Sequence, residues 1–501
     1  MTRGQAQVDP QTRSLAELGL HAQGGRETRV TGLTLDSRKV GPGHLFAALP
    51  GSRVHGAEFI PAALARGAAA ILTDRAGAAQ AAAALKASDA ALIVAEEPRQ
   101  ALSFAAALWF GAQPEICVAV TGTNGKTSVA SFARQIWQVL GHRAANLGTT
   151  GIEGDYGAAL GHTTPDAITL HRHLAAMAAQ GVDRLAMEAS SHGLDQRRLD
   201  GVRLAAAGFT SFGQDHLDYH GTLEAYFEAK CGLFMRVLTE DGIAVVNCDD
   251  PKGAEVARIA EGRGQEVIGV GRADDARLRI DTQRFDATGQ DLRFTWQGRP
   301  QQCRLKLIGG FQAGNALVAA GLAIAAGEDT DAVFAALPWL ATVRGRMQLV
   351  ATRDNGATVF VDYAHTPDAV ATALCALRPH VMGRLVVALG AGGDRDRGKR
   401  PLMGAAAAAH ADLVIVTDDN PRDEDPAAIR AALRAGCPDA LEIGDRAEAI
   451  LRGVDALGPG DALLIAGKGH ETGQIVGDQT YPFDDAEQAS FAVAALDGRR
   501  L

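Results

Sequence analysis

A short apolar stretch that breaks into a Gly-rich turn is the strongest constraint on the fold of this chain. Val118–Val120 leads into Thr121-Gly-Thr-Asn-Gly-Lys-Thr-Ser128, and a helical pattern follows. A buried strand ending in small residues lets backbone N–H groups approach phosphate oxygens, Lys126 can reach the terminal phosphates, and Thr127 can ligate Mg²⁺. A turn that merely joins strand to helix is the alternative, but Gly-Lys-Thr at this junction favours a nucleotide triphosphate site.

Length and charge bound the class of protein. With 501 residues the chain is too long for one core, and we expect about three domains. The net charge of -10, from 49 basic and 59 acidic residues, argues against a broad nucleic-acid surface. The six cysteines show no C-x-x-C spacing, and no stretch approaches the roughly 18 apolar residues that span a membrane. We therefore expect a cytoplasmic protein that neither enters a membrane nor binds nucleic acid.

The first 112 residues have the pattern of a small α/β domain. Residues 31–40 alternate like a strand, a helical stretch lies around residues 60–66, and residues 69–72 form another short strand. Within the first strand pattern, Asp36-Ser37-Arg38 either caps a turn or belongs to a site, and the sequence leaves both open.

Residues 113–343 form a second segment, which contains the Gly-rich turn. Behind the turn, one helical face is predicted to be buried, and it consists of Val129, Phe132, Ile136 and Val139 or Leu140. The strand at residues 184–187 ends in Glu188, at the sheet edge where open α/β sheets bind ligands, so Glu188 is a candidate magnesium ligand. Residues 275–307 alternate as antiparallel edge strands, and the helix after them carries Asn315, which either begins that helix or faces the nucleotide.

Lys230 lies in an otherwise apolar helical stripe with Leu223, Phe227 and Phe234. Two ordinary explanations are a snorkelling side chain and a buried ion pair. A third is that a lysine of lowered pKa reacts with carbon dioxide, and the resulting carbamate is an oxygen ligand for a metal.

Residues 344–501 alternate strands and helices in a doubly wound pattern. Predicted strands at residues 358–361, 385–389, 413–416 and 462–465 are each followed by a polar cluster. The clusters occupy residues 362–367, 392–401, 418–422 and 467–471. One such cluster could be turn chemistry, but four at one sheet edge predict a site.

On these motifs the chain resembles the Mur ligase family over nearly its whole length. The family motifs are residues 121–128, His216 with Lys230, and residues 362–367 and 467–471, while residues 36–38, 163–166 and 419–422 resemble the members that add a diamino acid. Ser211-Phe212 departs from the pattern, where an Asn-Leu-like pair is expected. The resemblance implies a three-domain α/β protein: a UDP-substrate-binding domain at 1–112, a central P-loop ATP-binding domain with a mainly parallel sheet at 113–343, and a C-terminal Rossmann-like amino-acid-binding domain at 344–501.

The resemblance further implies an ATP-dependent, ADP-forming amide ligase of peptidoglycan precursor synthesis, which acts as a monomer. Its substrates would be ATP, a UDP-muramoyl dipeptide and meso-2,6-diaminopimelate, joined through an acyl phosphate. L-Lysine as the incoming amino acid, or a folylpolyglutamate synthetase-like ligase lacking the N-terminal uridine domain, are the related alternatives. A P-loop protein that uses ATP hydrolysis only to switch conformation is the alternative from another class.

The implied roles extend residue by residue. Lys126, His216 and Lys230 would be catalytic, with two Mg²⁺ ions, one on Thr127 and Glu188 and the other on His216 and carbamylated Lys230. The implied contacts to ATP are Gly122, Thr123, Asn124, Gly125, Lys126, Thr127, Ser128, Asn315, Arg346, Asp362 and His365. Those to the UDP substrate are Leu35, Ser37, Ser52, Arg53, Val54, His162, Thr163, Thr164, Ser190, Gln196 and Arg198. Those to the amino acid are Arg395, Asp419, Asn420, Pro421, Arg422, Gly467 and Glu471.

The loop at residues 419–422 bears on the choice of amino acid. The Arg422 guanidinium could pair in bidentate fashion with the distal carboxylate of diaminopimelate, while Glu471 receives the ammonium. L-Lysine has no such carboxylate and would leave Arg422 unpaired. A turn with a surface arginine is the alternative explanation.

Overall fold

The computed structural model describes residues 12–51 and 54–499, and two predicted uridine-site residues, Ser52 and Arg53, lie outside the described residues. The N-terminal part is built on four parallel strands in the order β3-β4-β5-β6. Its strands are β1 (Arg13–Ser14), β2 (Arg29–Val30), β3 (Gly32–Thr34), β4 (His44–Ala47), β5 (Ala70–Thr73) and β6 (Ala91–Val94). Its α-helices are α1 (Ile60–Ala65), α2 (Arg75–Gln80), α3 (Ala82–Lys86) and α4 (Pro98–Phe110).

The strand predicted over residues 31–40 is too long. It ends at Thr34, and a 3-10 turn occupies Ser37–Lys39. The reason is local: the Asp36 carboxylate accepts a hydrogen bond from Arg38 N at 3.0 Å and another from Arg38 Nε at 2.9 Å, which caps the turn. The capping role that the sequence left open is therefore present.

The central part contains a ten-stranded sheet in the order β16-β15-β14-β13-β12-β11-β7-β10-β8-β9. Its strands are β7 (Ile116–Thr121), β8 (Ala144–Gly148), β9 (Gly151–Gly154), β10 (Arg184–Glu188), β11 (Ala206–Phe209), β12 (Ile243–Asn247), β13 (Glu266–Gly271), β14 (Leu278–Asp286), β15 (Gly289–Trp296) and β16 (Arg299–Leu305). Its α-helices are α5 (Lys126–Val139), α6 (Ala167–Ala179), α7 (Ser191–Asp195), α8 (Leu217–His220), α9 (Leu223–Gly232), α10 (Gly253–Gly262), α11 (Phe311–Ala325) and α12 (Thr330–Ala336).

Strand β7 lies inside this sheet, parallel to β10 on one side and β11 on the other. Apolar cores cover both faces of the sheet, and the antiparallel edge strands predicted over residues 275–307 are confirmed as β14, β15 and β16. On α5 the predicted buried face is completed by Leu140, because Val139 is 49% exposed.

The C-terminal part has a six-stranded sheet in the order β17-β18-β22-β19-β20-β21, parallel except for edge strand β17. Its strands are β17 (Gln348–Thr352), β18 (Thr358–Asp362), β19 (Leu385–Leu389), β20 (Leu413–Val416), β21 (Leu441–Glu442), β22 (Ala462–Ala466), β23 (Gly473–Val476) and β24 (Gln479–Pro482). Its α-helices are α13 (Pro367–Leu377), α14 (Lys399–His410), α15 (Pro426–Arg434), α16 (Arg446–Asp455) and α17 (Asp485–Leu496). The doubly wound prediction is confirmed, and the four polar clusters follow parallel strands at one sheet edge.

Side chains join the three parts. Helix α4 packs on α6, and Gln100 Nε2 donates to Asp200 Oδ2 at 2.9 Å. His380 bridges the central and C-terminal parts, since its Nε2 accepts from Gly309 N at 3.0 Å and its Nδ1 lies 2.6 Å from Asp286 O. Among the described residues, no helix is both long and apolar enough to cross a membrane.

Candidate active site

The Gly-rich turn (residues 121–126) connects β7 to α5 under tight steric limits. Gly122 has φ +148° and Gly125 has φ +88°, conformations that favour glycine. A Cβ on Gly122 would lie 2.0 Å from Thr210 Oγ1, and one on Gly125 would lie 2.7 Å from Asn315 Oδ1. Asn315 therefore faces the turn. Helix α5 begins at Lys126, the last residue of the turn, so free N–H groups at the helix start are available to phosphate oxygens.

Two lysines converge on one carbonyl of this turn. Lys126 Nζ donates to Gly122 O at 2.8 Å and to Thr123 O at 2.9 Å, and Lys230 Nζ also donates to Gly122 O at 2.8 Å. Burial, together with the neighbouring Lys126, holds the pKa of Lys230 well below its usual value. Burial also lowers the pKa of Lys126, although the carboxylates of Glu188 and Asp215 oppose this shift.

Both ordinary explanations for Lys230 are wrong. The residue is 2% exposed, so its ammonium does not snorkel, and among the described residues its Nζ donates to the carbonyl oxygen of Gly122 rather than to a carboxylate. Its other close neighbour is the Tyr226 ring, whose centroid is 4.3 Å from Nζ. The predicted apolar stripe holds at Phe227 and Phe234 but not at Leu223, which is 38% exposed at the start of α9.

The predicted magnesium ligands Thr127 and Glu188 lie at the start of α5 and at the end of β10. Glu188 is 1% exposed, and its carboxylate accepts from Thr149 N at 2.8 Å and from Thr149 Oγ1 at 3.1 Å. The Thr127 hydroxyl accepts from Arg346 Nη2 at 3.3 Å. Within residues 12–51 and 54–499, no three His, Cys, Asp or Glu side chains form a metal cage. One hydroxyl and one carboxylate still fit Mg²⁺, which is commonly held by one or two protein ligands plus phosphates and waters.

His216 lies at the start of α8 in a left-handed conformation, with φ +52°. Its ring packs against that of His192, with 4.8 Å between centroids, and its Nε2 is 3.5 Å from Asp215 Oδ2. Burial lowers the pKa of His216, against the effect of Asp215. The departure at Ser211 makes a contact of its own, because the Ser211 hydroxyl accepts from Asn124 N at 3.0 Å.

A cavity of about 350 Å³, here called the acceptor cavity, lies between the N-terminal and central parts. Four predicted uridine-site residues line it, namely Leu35, Val54, Gln196 and Arg198. Arg99, which the sequence did not indicate, lines the same cavity, as does Asp166, which belongs to the 163–166 motif but has no predicted contact. Ser37 lies in the capped turn two residues after Leu35, and His162 is exposed.

A hydrogen-bond network connects the acceptor cavity to Glu188. Arg198 donates through Nη2 to Gln196 Oε1 at 2.7 Å and through Nη1 to Thr164 O. The Thr164 hydroxyl donates to Glu188 O at 2.9 Å and accepts from Ser190 N at 3.0 Å. Thr163 joins the network because its hydroxyl lies 3.1 Å from that of Thr149. The sequence did not point to Thr149, which carries no motif of its own.

Of the three predicted ATP-contacting residues in the C-terminal part, Arg346 reaches the start of α5, while the contacts of Asp362 and His365 lie within the C-terminal part. The Arg346 guanidinium that contacts Thr127 also lies over the Tyr363 ring, 4.6 Å from its centroid. Asp362 accepts from Met347 N at 2.6 Å, and burial raises the pKa of its carboxyl. His365 Nδ1 is 2.7 Å from Tyr363 O, and burial lowers the pKa of this imidazole.

The loops after β20 and β22 are bound to each other. Asn420 Nδ2 donates to Glu471 Oε2 at 2.7 Å, while Asn420 Oδ1 accepts from Lys468 Nζ at 3.0 Å. Gly467 has φ +115°, and a Cβ there would lie 2.5 Å from Asp419 Oδ2. The fully buried Lys468 was inside a predicted cluster but had no predicted role; its position three residues before Glu471 was the available signal.

Arg422 is held in a left-handed conformation, with φ +51°, next to Pro421. Its backbone pairs with the β23–β24 hairpin through Arg422 N to Ile475 O at 3.1 Å, and its Nη1 donates to Gly393 O at 2.7 Å. Arg395 follows β19 beside this point, since a Cβ on Gly392 would lie 2.9 Å from Arg422 Nη1 and 3.8 Å from Arg395 Cγ. The structure therefore brings the predicted amino-acid-binding residues together.

Comparison with known proteins agrees with this arrangement. Family models match residues 29–109 as Mur ligase family, catalytic domain, residues 120–323 as Mur ligase middle domain, and residues 345–469 as Mur ligase, glutamate ligase domain. Two relatives are named UDP-N-acetylmuramoyl-L-alanyl-D-glutamate--2,6-diaminopimelate ligase. The Caulobacter vibrioides protein is 50% identical over 93% of this chain and 96% of its own length, and the Bradyrhizobium diazoefficiens protein is 52% identical over 93% and 95%.

Solved structures give the same result. A structure of UDP-N-acetylmuramoyl-L-alanyl-D-glutamate--2,6-diaminopimelate ligase is 35% identical, with a TM-score of 0.70 over 97% of this chain and 99% of that one. The Mycobacterium tuberculosis folylpolyglutamate synthase complexed with ADP shares the fold at 21% identity, with a TM-score of 0.61 over 79% of this chain and 93% of its own. This chain belongs to the Mur ligase family.

Proposed function

We propose that this chain is an ATP-dependent ligase that joins meso-2,6-diaminopimelate to the D-glutamate of UDP-N-acetylmuramoyl-L-alanyl-D-glutamate, with release of ADP and phosphate. The observation that carries the proposal is the identity of 50% and 52%, over 93% of the chain, to diaminopimelate ligases. The likeness to folylpolyglutamate synthase, at 21% identity, supports the fold alone.

In the first step a substrate carboxylate oxygen attacks the γ-phosphorus of ATP, and ADP leaves. Little covalent help is needed from the protein, so charge neutralisation and alignment supply most of the rate. Lys126 and the start of α5 are suited to the β- and γ-phosphates, because Lys126 ends the Gly-rich turn and its Nζ lies against the carbonyl of Gly122. Asn315, Arg346, Asp362 and His365 would hold the nucleotide from the other elements that meet there.

The metal ligands are proposed on the donor chemistry of these residues. Thr127 and Glu188 would hold one Mg²⁺, and His216 with a carbamate on Lys230 would hold a second. Bound Mg²⁺ would neutralise developing charge on the phosphoryl oxygens. The carbamate is supported by a buried Lys230 with a carbonyl and an aromatic ring as its close neighbours.

The acceptor would lie in the acceptor cavity, with Arg198 on its acidic groups. In the second step the amine of diaminopimelate attacks the acyl carbon, the C–N bond forms, and inorganic phosphate leaves. Arg422 would bind the distal carboxylate of the amino acid, and Glu471 would bind its ammonium. L-Lysine would leave Arg422 without a carboxylate, which favours diaminopimelate.

The test is phosphate release that depends on both substrates. Purified protein is incubated with ATP, Mg²⁺ and the UDP-muramoyl dipeptide, together with diaminopimelate, L-lysine or no amine. Phosphate release is measured, and the product is identified by mass spectrometry. We expect rapid release and a ligated product with diaminopimelate only. ATP hydrolysis indifferent to both substrates would instead identify a conformational switch, and ligation of glutamate to a folate would identify the folylpolyglutamate alternative.

Lys126→Ala in this assay should lower kcat by about 100- to 1000-fold, because a preorganised cation is lost from the phosphoryl group. Lys86→Ala, which changes an exposed lysine on α3, is the control and should leave kcat unchanged. A Lys126→Ala enzyme with near-normal kcat would contradict the assigned role.

A further inference from the structure

Tyr219 lies on the single-turn helix α8, shortly after His216, and contacts Gln196, which lines the acceptor cavity. Its hydroxyl donates to Asp195 Oδ2 at 2.7 Å and accepts from Gln196 Nε2 at 3.1 Å. Gln196 is predicted to contact the UDP substrate, and His216 is predicted to bind a magnesium ion. The sequence indicates no role for Tyr219, although it contacts Gln196 directly and reaches His216 through the ring of His192.

On the acceptor side, Tyr219 fixes the orientation of an amide. Gln196 Nε2 donates to the Tyr219 hydroxyl, so Gln196 Oε1 faces the other way and accepts from Arg198 Nη2 at 2.7 Å. Without the hydroxyl, the amide would lose one of its two hydrogen bonds and would be held through Arg198 alone. Arg198 would then keep its bond to Thr164 O but lose a fixed second support.

On the metal side, the ring of Tyr219 supports a histidine stack. The Tyr219 and His192 ring centroids are 4.1 Å apart, and the His192 ring meets the His216 ring at 4.8 Å in an edge arrangement. His220 also packs on both Tyr219, at 4.8 Å, and His192, at 5.5 Å. The His216 side chain is 46% exposed, and its aromatic neighbours are the rings of His192, at 4.8 Å, and Tyr226, at 6.2 Å.

We propose that Tyr219 is a positioning residue that aligns the acceptor through Gln196 and Arg198 and aligns His216 through His192. The two functions are separable, since the hydroxyl serves the first and the ring serves the second. This inference rests on the proposed function, because it assigns Arg198 to the acceptor and His216 to a metal ion.

Tyr219→Phe tests the hydroxyl alone. We expect the KM for the UDP-muramoyl dipeptide to rise about 3- to 10-fold, the effect of one neutral hydrogen bond, with kcat within twofold of the native enzyme. Gln196→Ala should raise KM similarly, and adding Tyr219→Phe to it should change KM no further, because the hydroxyl acts through the amide. Tyr481→Phe, on the exposed β23–β24 hairpin, is the control.

Tyr219→Leu tests the ring. It should additionally raise the Mg²⁺ concentration needed for half-maximal rate, whereas Tyr219→Phe should not. Melting temperatures of all variants identify any that fail to fold, and the Phe and Ala variants then carry the test. A native KM in Tyr219→Phe would overturn the inference, and so would a double variant whose KM increase is the product of the increases in Tyr219→Phe and Gln196→Ala. In both cases the native enzyme would still be active. Native protein with no amine-dependent phosphate release would overturn the proposed function itself.

Discussion

The Gly-rich turn and the loops at the C-terminal sheet edge handle positive charge in opposite ways. At the turn, Lys126 and Lys230 donate to the carbonyl of Gly122. At the C-terminal sheet edge, Arg446 forms a fully buried ion pair with Asp485, with Nη2 to Oδ2 at 2.7 Å, and its guanidinium also donates to Asp418 O and Ala466 O. The first region holds cations on neutral oxygens, and the second neutralises most of its cations internally.

This difference separates ligand-binding cations from scaffold cations. A buried cation on neutral partners retains attraction for an incoming anion, whereas a paired one has little left to offer. Arg198 and Arg422 belong to the first kind, since their side chains donate to amide or carbonyl oxygens. Arg446 ties α16 and α17 to the ends of β20 and β22, and so holds the loops in place.

The largest of these effects is expected at Lys230, a buried lysine whose hydrogen-bond partner is a neutral carbonyl. Lys230→Ala should lower kcat by roughly 100-fold or more, because a proposed metal ligand is lost. Carbon dioxide depletion should lower the native rate, and bicarbonate should restore it in the native enzyme but not in the variant, as a coupled ADP assay would measure.

The matched control is Lys252→Ala, since Lys252 also lies 4.3 Å from an aromatic ring centroid but pairs with Glu255 at 2.7 Å. It should keep native kcat and native bicarbonate dependence. Near-normal activity of Lys230→Ala that bicarbonate cannot raise would remove the carbamate from the mechanism.

A smaller effect is expected at Arg422. This arginine lies at the C-terminal sheet edge, but its side chain donates to a neutral carbonyl, as the lysines of the Gly-rich turn do. Arg422→Ala should reduce the preference for diaminopimelate over L-lysine by about 1 to 3 kcal/mol, or roughly 5- to 150-fold in the ratio of kcat/KM. Competition between the two amino acids, followed by mass spectrometry, measures this ratio. Arg434→Ala, which removes a surface partner of Glu442, should not change it; an unchanged ratio in Arg422→Ala would assign the distal carboxylate to another group.

The smallest effect is expected at Glu424, which pairs with Arg400 and so belongs to the paired charges of the C-terminal part. The Arg400 guanidinium and Asp394 N hold the pKa of Glu424 at about 2, below its usual 4.5. A lowered pKa adds stability that is present above pH 4.5 and is lost as pH falls toward 2. The melting temperature of Glu424→Gln should therefore lie below the native value at pH 7, and the gap should narrow below pH 5. A gap that does not depend on pH would show that this pair does not act through its charge.

Short-range chemistry was predictable from the sequence, and long-range pairing was not. The strand ends at Glu188 and Asp362 were found because an apolar run followed by polar residues is a local pattern. The partner of Asn420 lies 51 positions away at Glu471, and Lys230 meets Gly122 O across 108 positions. No local pattern records such distances, so the contact of Lys468 with Asn420 and that of Tyr219 with Gln196 had to come from the fold.

The interior place of β7 has a consequence for synthesis of the protein on the ribosome. Both strands that flank β7 come later in the chain, and the second, β11, ends roughly 90 residues after it. At about 5 to 20 residues per second, a nascent chain would wait about 5 to 20 seconds between making the Gly-rich turn and completing the sheet around it. During that interval the apolar β7 has an open edge, which makes this stretch of the growing chain a natural site for chaperone contact.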